Sequence, residues 1–254
     1  MRIGIDLGSR KVKFALVHEE QIVRLESFDT LSFYKRFGRM EGDDLTFDLA
    51  GTGFFSVEEL AASSIVATGY GRNTLNLKGV RIVSEIRAHV AGALFQTGLR
   101  DFTLLDMGGQ DTKVALVRNG RLQDFVMNDK CAASSGRYLE NMAAILEVDL
   151  KELSSHWAEP VRLDATCGIF GESELIGQIL RGHSVGRLCA GVNQTLVKRV
   201  IPMLRRFPSD IIVVTGGVAL DYALIKLLEL EGFSVNVPDS PQHNGAIGCA
   251  VIGS

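Results

Sequence analysis

The sequence predicts an α/β protein made of two related lobes. An apolar run, Arg2–Leu7, ends in a glycine turn, and a second such run, Phe102–Met107, ends in a similar turn one hundred residues later. Elsewhere, apolar stretches with helical spacing alternate with short β-branched runs, a pattern typical of helices that cover sheets. The chain has 254 residues, 46% of them hydrophobic and 22% charged, which is enough material for two packed lobes and excludes a disordered or fibrous protein.

The two glycine turns belong to an internal repeat. Each turn is followed by a second predicted strand, Lys11–His18 in the first copy and Thr112–Arg118 in the second. Asn119-Gly120 then predicts a hairpin to a third strand. Over a gapless twelve-residue frame, six pairs of positions carry the same amino acid: Asp6/Asp106, Gly8/Gly108, Lys13/Lys113, Ala15/Ala115, Leu16/Leu116 and Val17/Val117.

The remaining elements follow from the period of the apolar residues. The β-branched residues 211–214 predict a buried strand, which Gly216 and Gly217 terminate. We divide the chain into a first lobe at residues 1–95 and a second lobe at 96–254, with the closing helix free to pack back on the first lobe. The predicted helices are 84–96, 136–146, 170–181, 190–206, 218–230 and 242–252, and the later strands are 210–215 and 234–237.

Charge and hydropathy exclude several classes of protein. The 27 Lys and Arg residues against 30 Asp and Glu leave a net charge of −3, so we expect no basic surface for nucleic acid or membrane. The longest apolar stretch, 245–253, is shorter than the ~20 residues of a membrane span. The chain opens on a strand rather than a signal peptide, and its four cysteines form no CxxC pair. We therefore expect a reduced, cytoplasmic protein.

The glycine turns indicate a bound nucleotide. A strand that leads into a glycine turn lets backbone N–H groups approach phosphate oxygens, and an Asp at the strand end can hold Mg²⁺ through water. Both copies have this Asp, at positions 6 and 106, with a lysine seven residues further on. A third turn, Thr215-Gly216-Gly217, also follows an apolar strand and suits the adenosine part. Three such turns predict a single nucleotide-binding unit that uses both lobes.

Eight motifs extend over essentially the whole chain and carry a resemblance to a known family. They are IDLGSRKVK (5–13), ATGYGR (67–72), SEIRAHVAGA (84–93), DMGGQDTK (106–113), NDKCAASSGRYLE (128–140), TCGIFGESELI (166–176), TGGVA (215–219) and VPDSPQHNGAIGCA (237–250). The arrangement resembles the duplicated nucleotide-binding fold of actin, Hsp70 and the sugar kinases. More closely, the chain resembles the activator ATPases of 2-hydroxyacyl-CoA dehydratases, in the BadF/BadG/BcrA/BcrD ATPase family.

The resemblance implies a site for ATP and Mg²⁺. This chain departs from the family at the first turn, where Arg10, Lys11 and Val12 replace threonines, and we expect Lys11 to contact a phosphate. The catalytic positions that the resemblance implies are Asp6, Asp106, Gln110 and Glu85. The implied nucleotide-contacting positions are Gly8, Ser9, Lys13, Gly108, Gly109, Gly216, Gly217, Val218 and Gln242.

The cysteines are specific to this branch of the family. Cys131 and Cys167 each precede a predicted helix, whose positive N-terminus stabilises a thiolate. Cys189 and Cys249 lie among apolar residues, and we interpret them as buried structural cysteines. A four-iron cluster is normally held by four thiolates. Because each chain has two suitable cysteines, two chains would supply the four ligands, which favours a homodimer. The resemblance implies the same, one [4Fe–4S] cluster per homodimer, although Ser134 stands where the family has glycine.

The function that the resemblance implies is ATP-dependent donation of one electron. A ferredoxin or flavodoxin reduces the shared cluster, and the electron passes to a 2-hydroxyacyl-CoA dehydratase with its own iron–sulfur centre. Two alternatives stay open: a small-molecule or sugar kinase of the same fold, with Asp129 as base, and an ATPase subunit of a benzoyl-CoA-type reductase. A chaperone is disfavoured, since we expect no appended substrate-binding domain. The histidines show no ligand spacing, and we interpret His89 as a packing residue.

Overall fold

The computed structural model describes residues 1–41, 44–69, 80–128, 135–164 and 168–253. The chain divides into two units: Met1–Leu99 with Gln242–Ser254, here unit 1, and Arg100–Pro241, here unit 2. Each unit holds a five-stranded sheet, and the predicted α/β class is confirmed. The first unit extends to Leu99 rather than to residue 95, and the last helix of the chain is part of it.

Unit 1 opens with an antiparallel meander of three strands. Its elements up to residue 99 are β1 (Arg2–Leu7), β2 (Lys11–His18), β3 (Gln21–Asp29), α1 (Thr30–Phe37), β4 (Gly38–Glu41), β5 (Asp44–Phe47), α2 (Val57–Ala62), β6 (Ser64–Gly69), β7 (Val80–Ile82) and α3 (Glu85–Thr97). The large sheet has the order β3-β2-β1-β6-β7, with β1 antiparallel to β2 and parallel to β6. Every residue of the central strand β1 from Ile3 to Leu7 is buried, and Asp6 is the one charged residue among them.

Unit 2 repeats this topology with longer helices. Its elements are β8 (Phe102–Met107), β9 (Thr112–Arg118), β10 (Arg121–Asn128), α4 (Gly136–Ile145), α5 (Leu150–Ser154), α6 (Gly168–Leu180), α7 (Val185–Arg206), β11 (Ile211–Thr215), α8 (Tyr222–Leu230) and β12 (Ser234–Asn236). The last helix, α9 (Asn244–Ile252), follows in unit 1. The sheet of unit 2 has the order β10-β9-β8-β11-β12, with β8 antiparallel to β9 and parallel to β11.

The strand register is the same in both units and supports the internal repeat. Asp6 of β1 lies opposite Lys13 of β2, and Asp106 of β8 lies opposite Lys113 of β9. Directly opposite residues of an antiparallel pair point to the same face of the sheet, whereas a slip of one residue would turn one of them away. The shared register therefore brings each lysine beside the aspartate of its own glycine turn.

The last helix, α9, packs closely against α3 within unit 1. A Cβ on Gly248 would lie 1.7 Å from the backbone oxygen of Ala88, so the two helices touch at a distance that only glycine allows. The Asn244 amide donates to the backbone oxygen of His89 at 2.8 Å and accepts from Gln96 Nε2 at 2.9 Å. These contacts hold the C-terminal segment on the first unit.

Aromatic packing in unit 1 explains elements that the sequence analysis did not predict. The short helix α1 buries Phe33 and Phe37 against Phe28, with ring centroids 5.7 and 5.8 Å apart. The β4–β5 hairpin follows, and its Phe47 ring lies 4.8 Å from that of Phe33. Eight residues form a marginal helix on their own, so tertiary packing rather than local propensity stabilises this region.

Two predicted helices begin with a 3₁₀ turn. The predicted helix 218–230 is a 3₁₀ helix at Gly217–Leu220 followed by α8, because the Asp221 carboxylate accepts a hydrogen bond from the Leu224 N–H at 2.9 Å and caps α8. The predicted helix 242–252 likewise starts with a 3₁₀ turn at Pro241–His243 before α9. None of the helices in the described ranges is long and apolar enough to cross a membrane.

Asp221 makes the stability of the protein depend on pH. The residue is 7% exposed, and burial raises the pKa of Asp221 from 3.8 to about 6. Because the pKa is higher in the folded state, the contribution of Asp221 to stability is fully present below about pH 4 and is lost as the pH rises through about 6. Asp221→Asn keeps the cap without the charge. We therefore expect it to raise the free energy of unfolding at pH 7 by roughly 1–3 kcal/mol.

Urea unfolding at about pH 4 and at pH 7 measures the stability that Asp221→Asn gains over the wild type. This gain should nearly vanish at the lower pH. The matched control is Asp149→Asn, since Asp149 caps α5 by accepting from the Glu152 N–H at 2.7 Å but is exposed. We expect the control to change stability by less than about 0.5 kcal/mol at either pH. An equal effect of Asp221→Asn at both pH values would show that burial of its charge is not the cause.

Candidate functional site

The first glycine turn places a buried carboxylate beside a lysine. Asp6 is 3% exposed, and its Oδ2 lies 3.5 Å from the Nζ of Lys13. Its Oδ1 is buried and has no hydrogen-bond partner among the described residues. Such an oxygen costs free energy unless a ligand binds it, so it is suited to a cation or a cation-bound water. A Cβ on Gly8 would lie 2.7 Å from the backbone oxygen of Lys11, so the turn requires glycine.

The second glycine turn has a fuller hydrogen-bond network. The Thr215 hydroxyl donates to Asp106 Oδ1 at 2.8 Å, and Asp106 Oδ2 lies 3.8 Å from Lys113 Nζ. Lys113 in turn donates to Asp111 Oδ2 at 2.6 Å. The Gly108 N–H donates to the backbone oxygen of Asp111 at 2.9 Å and closes the turn. Asp111, which the sequence analysis did not single out, therefore positions the lysine of this turn.

A fourth turn, which the sequence analysis did not predict, extends the repeat. Thr68-Gly69 ends β6 as Thr215-Gly216 ends β11, and each threonine lies opposite the aspartate of its own unit. Both glycines have left-handed φ angles, +106° and +89°. A Cβ on Gly69 or Gly216 would lie 2.6 or 2.2 Å from a backbone oxygen of the adjacent strand. The sequence signal was the Thr-Gly pair after an apolar run.

The two threonines differ in their hydrogen bonds, which makes the glycine turns of the two units unequal. Thr215 donates to Asp106, whereas Thr68 donates to the backbone oxygen of Val83 at 2.9 Å. Asp6 therefore keeps the buried oxygen for which the described residues provide no partner. This difference favours Asp6 over Asp106 as the carboxylate that takes a further ligand.

Glu85 and His89 lie on the same helix, close to the first turn. Glu85 is the first residue of α3, and its Oε1 lies 3.9 Å from His89 Nε2. A Cβ on Gly245 would be 2.9 Å from Asp6 Oδ2 and 3.0 Å from His89 Nε2, so both side chains approach α9 where it has a glycine. His89 is buried, as a packing residue would be, and its imidazole lies between the predicted Glu85 and Gly245 of α9.

His243 is a further polar residue beside the first turn. Burial lowers the pKa of His243, and the charge of Lys13 lowers it further. Its Nε2 is buried and has no hydrogen-bond partner in the part of the chain that the structure describes. The imidazole is therefore neutral at pH 7. No spacing in the sequence relates position 243 to position 13, so sequence reasoning missed this residue.

The other predicted positions lie in or near the turns or in two 3₁₀ helices. Lys11, expected to contact a phosphate, is paired with Asp29 at 2.9 Å. Gln110 and Gln242 are exposed, and Val218 is buried in the 3₁₀ helix after β11. Further predicted positions in or beside the turns are Ser9, Gly109 and Gly217. Four positions from the sequence analysis lie outside the described residues: Asp129, Cys131, Ser134 and Cys167.

Cys189 and Cys249 are buried free cysteines in the structure. Burial raises the pKa of Cys189 to about 11 and raises the pKa of Cys249 further. Both thiols are therefore protonated at neutral pH, whereas metals and clusters bind the thiolate. Within the described ranges, no three His, Cys, Asp or Glu side chains are grouped so as to hold a metal ion.

The chain is similar to known proteins over nearly its whole length. A profile of the BadF/BadG/BcrA/BcrD ATPase family matches residues 3–253. The chain is 43% identical over 267 residues to the (R)-2-hydroxyglutaryl-CoA dehydratase activating ATPase of Acidaminococcus fermentans, with 98% of this chain and 95% of that protein covered.

Solved structures share the fold. The activator of the 2-hydroxyisocaproyl-CoA dehydratase from Clostridium difficile, solved with bound ADPNP, has a TM-score of 0.83 and 31% identity over 99% of this chain and 93% of its own. A ROK family glucokinase from Streptomyces griseus, 14% identical with a TM-score of 0.55 over 99% of this chain and 98% of its own, shows the same fold alone. The chain belongs to the BadF/BadG/BcrA/BcrD ATPase family.

Proposed function

We propose that this protein is an ATP-dependent activator that donates one electron to a 2-hydroxyacyl-CoA dehydratase. The observation that carries the proposal is the Asp–Lys pair repeated in one register at two glycine turns, in a chain 43% identical to an activating ATPase of such a dehydratase. The electron comes from a ferredoxin or flavodoxin, and the dehydratase receives it on its own iron–sulfur centre. This chain breaks no bond of the acyl-CoA.

The residues of the first turn fit a magnesium ion bound with ATP. The Oδ1 of Asp6, which has no hydrogen-bond partner among the described residues, would accept a hydrogen bond from a metal-bound water. Mg²⁺ commonly meets protein carboxylates in this way. Lys13, 3.5 Å from Asp6, would neutralise charge on a phosphate oxygen. The backbone N–H of Gly8 would approach the same phosphates.

Hydrolysis requires a positioned water beside the terminal phosphate. Glu85, whose Oε1 lies 3.9 Å from His89 Nε2, is the carboxylate that we propose to orient that water. The water oxygen bonds to the γ-phosphorus, the bond to the bridging oxygen breaks, and ADP and inorganic phosphate leave. At the second turn, Lys113 and the amide of Gly109 would stabilise charge on the phosphates.

The cysteines of the chain fit a cluster shared by two copies. Cys189 and Cys249 are buried and protonated, so Cys131 and Cys167 are the thiols that we propose as ligands. A [4Fe–4S] cluster accepts and donates one electron and is held by about four thiolates. Two chains with two thiolates each supply that number, and the protein would act as a homodimer.

Iron and sulfide analysis of anaerobically purified protein tests this proposal. We expect about two irons per chain, half of a four-iron cluster, and loss of iron in Cys131→Ala and in Cys167→Ala. Cys189→Ala is the matched control, because it removes a thiol that is buried in the core and should keep its iron. An iron-free wild-type protein with intact nucleotide turnover in the Cys131 and Cys167 variants would overturn the electron-donor function and favour a kinase.

A further inference from the structure

Helix α1 begins directly on the first glycine turn. The hydroxyl of Thr30, the first residue of α1, donates to the backbone oxygen of Gly8 at 2.8 Å. The backbone N–H of the same residue donates to the backbone oxygen of Arg10 at 3.1 Å. The first amides of a helix have no acceptor within it, and here the turn supplies one. A single residue therefore holds two carbonyl groups of this short turn.

The position of Thr30 is itself fixed by the chain on both sides of it. On its N-terminal side, Asp29 of β3 lies opposite Lys11 of β2 in the sheet, and the two side chains form an ion pair at 2.9 Å. On its C-terminal side, α1 buries Phe33, whose ring centroid lies 5.6 Å from that of Phe14 in β2. Since β2 is the strand that leaves the turn, Thr30 is held by the same strand whose turn it contacts.

Peptide geometry connects the Thr30 hydroxyl to the amide of Ser9. The peptide plane between Gly8 and Ser9 carries the Gly8 oxygen on one edge and the Ser9 N–H on the opposite edge, because the peptide bond is planar and trans. The hydrogen bond from Thr30 draws the Gly8 oxygen toward α1, so the Ser9 N–H points away from α1. Without this hydrogen bond the plane could rotate, since Gly8 has no Cβ to restrict it.

We propose that Thr30 is a positioning residue that orients the Ser9 amide of the first turn toward a phosphate of the bound nucleotide. A backbone N–H that already points at the phosphate needs no reorganisation when ATP binds, so its hydrogen bond contributes in full to affinity. This role rests on the proposed function only in placing a phosphate at the first turn, and it does not depend on a cluster or an electron acceptor. Thr30 lies 22 residues from Gly8 along the chain, which is why no local spacing identifies it.

Nucleotide binding to Thr30→Val tests this role. Valine has nearly the shape of threonine but no hydroxyl, and it keeps the backbone N–H that donates to Arg10. Isothermal titration calorimetry on the full-length protein compares the Kd of a non-hydrolysable ATP analogue with Mg²⁺ between the variant and the wild type. We expect the Kd to rise by roughly fivefold, the factor that one ordinary hydrogen bond contributes. Thr30→Ser, which keeps the hydroxyl, should bind the analogue as the wild type does.

Adenosine distinguishes a positioning role from a general weakening of the nucleotide site. Because adenosine has no phosphate, its affinity does not depend on the direction of the Ser9 N–H. Thr30→Val should therefore bind adenosine as the wild type does, measured by competition with the ATP analogue. A distorted site would instead weaken the binding of both ligands alike. Circular dichroism of each variant establishes that it folds.

Thr97→Val is the matched control. The Thr97 hydroxyl also donates to a backbone oxygen, that of Ala93 at 2.7 Å, and Thr97 is half-buried like Thr30. Thr97 is the last residue of α3, about 18 Å along the helix axis from the first residue, Glu85. The control variant should bind both the ATP analogue and adenosine with wild-type affinity.

The outcomes separate this inference from the proposed function. An unchanged Kd for the ATP analogue in Thr30→Val, or an equal loss of affinity for adenosine, would overturn the positioning role whether or not the protein binds iron. If the wild-type protein binds no iron but Thr30→Val loses affinity for the ATP analogue alone, the electron-donor function is overturned and the positioning role of Thr30 stands.

Discussion

Gly248→Ala is expected to lower the free energy of unfolding by about 3 kcal/mol or more. The added Cβ would lie 1.7 Å from the backbone oxygen of Ala88, 2.6 Å from its carbonyl carbon and 2.8 Å from the backbone nitrogen of Gly92. These are backbone atoms of α3, so no side-chain rotation relieves the overlap and the two helices must separate. The midpoint of urea unfolding measures the loss.

Gly177→Ala is the matched control for this substitution. Gly177 also lies within a helix, α6, but a Cβ there would meet nothing within 4 Å. Alanine is the better helix former, so the control should leave stability unchanged or raise it by up to about 1 kcal/mol. If both variants unfolded at the wild-type midpoint, the close approach of α9 to α3 would be wrong.

Asp6→Asn is expected to lower the kcat of ATP hydrolysis by roughly a hundredfold or more, the loss typical of a removed electrostatic contact to the reacting group. Asparagine keeps the shape of the side chain but removes the charge that a magnesium-bound water would contact through Oδ1. Steady-state ATPase measurements at saturating MgATP detect the loss. Asp101→Asn, at an exposed aspartate that accepts from the Asn119 N–H at 3.0 Å, should retain full activity.

The free energies of unfolding of Asp6→Asn and Asp106→Asn distinguish the first glycine turn from the second. Both oxygens of Asp106 have protein contacts, with Thr215 and Lys113, so Asp106→Asn should cost roughly 1–3 kcal/mol of unfolding free energy. Asp6 has one buried oxygen that the described residues leave unbonded, so Asp6→Asn should change stability by less than about 1 kcal/mol. Full ATPase activity in Asp6→Asn would exclude the role of Asp6 in ATP hydrolysis.

Most of the fold could be predicted from local patterns. The strands of the repeat, Arg2–Leu7, Lys11–His18, Phe102–Met107 and Thr112–Arg118, have the bounds that the apolar runs indicated. The helix α1 could not be predicted, because its Phe33 and Phe37 pack against rings that other elements contribute. The spacing and the length of apolar runs identify helices and strands whose own sequence has a clear pattern. They miss elements that depend on packing against distant parts of the chain.

The candidate site divides in the same way. The positions of Asp6, Lys13, Asp106 and Lys113 follow from the repeat, since the register of a short hairpin is set by residues close in sequence. Asp111 was recognisable within its motif, but its role appears only in the contacts it makes with Lys113 and Gly108. His243 lies far along the chain from the turn it accompanies and had no local signal.

The sequence by itself determined the α/β class, the internal repeat and the Asp–Lys pairs beside the two glycine turns, because each depends on residue type and spacing within short stretches of the chain. Only the tertiary structure decided that Thr215 holds Asp106 while Thr68 turns to Val83, and that α4 starts on the carbonyls of Gly108 and Gly109. These are hydrogen bonds between separate segments of the chain. Their partners are selected by how strands and helices pack in three dimensions, which no local pattern of residues encodes.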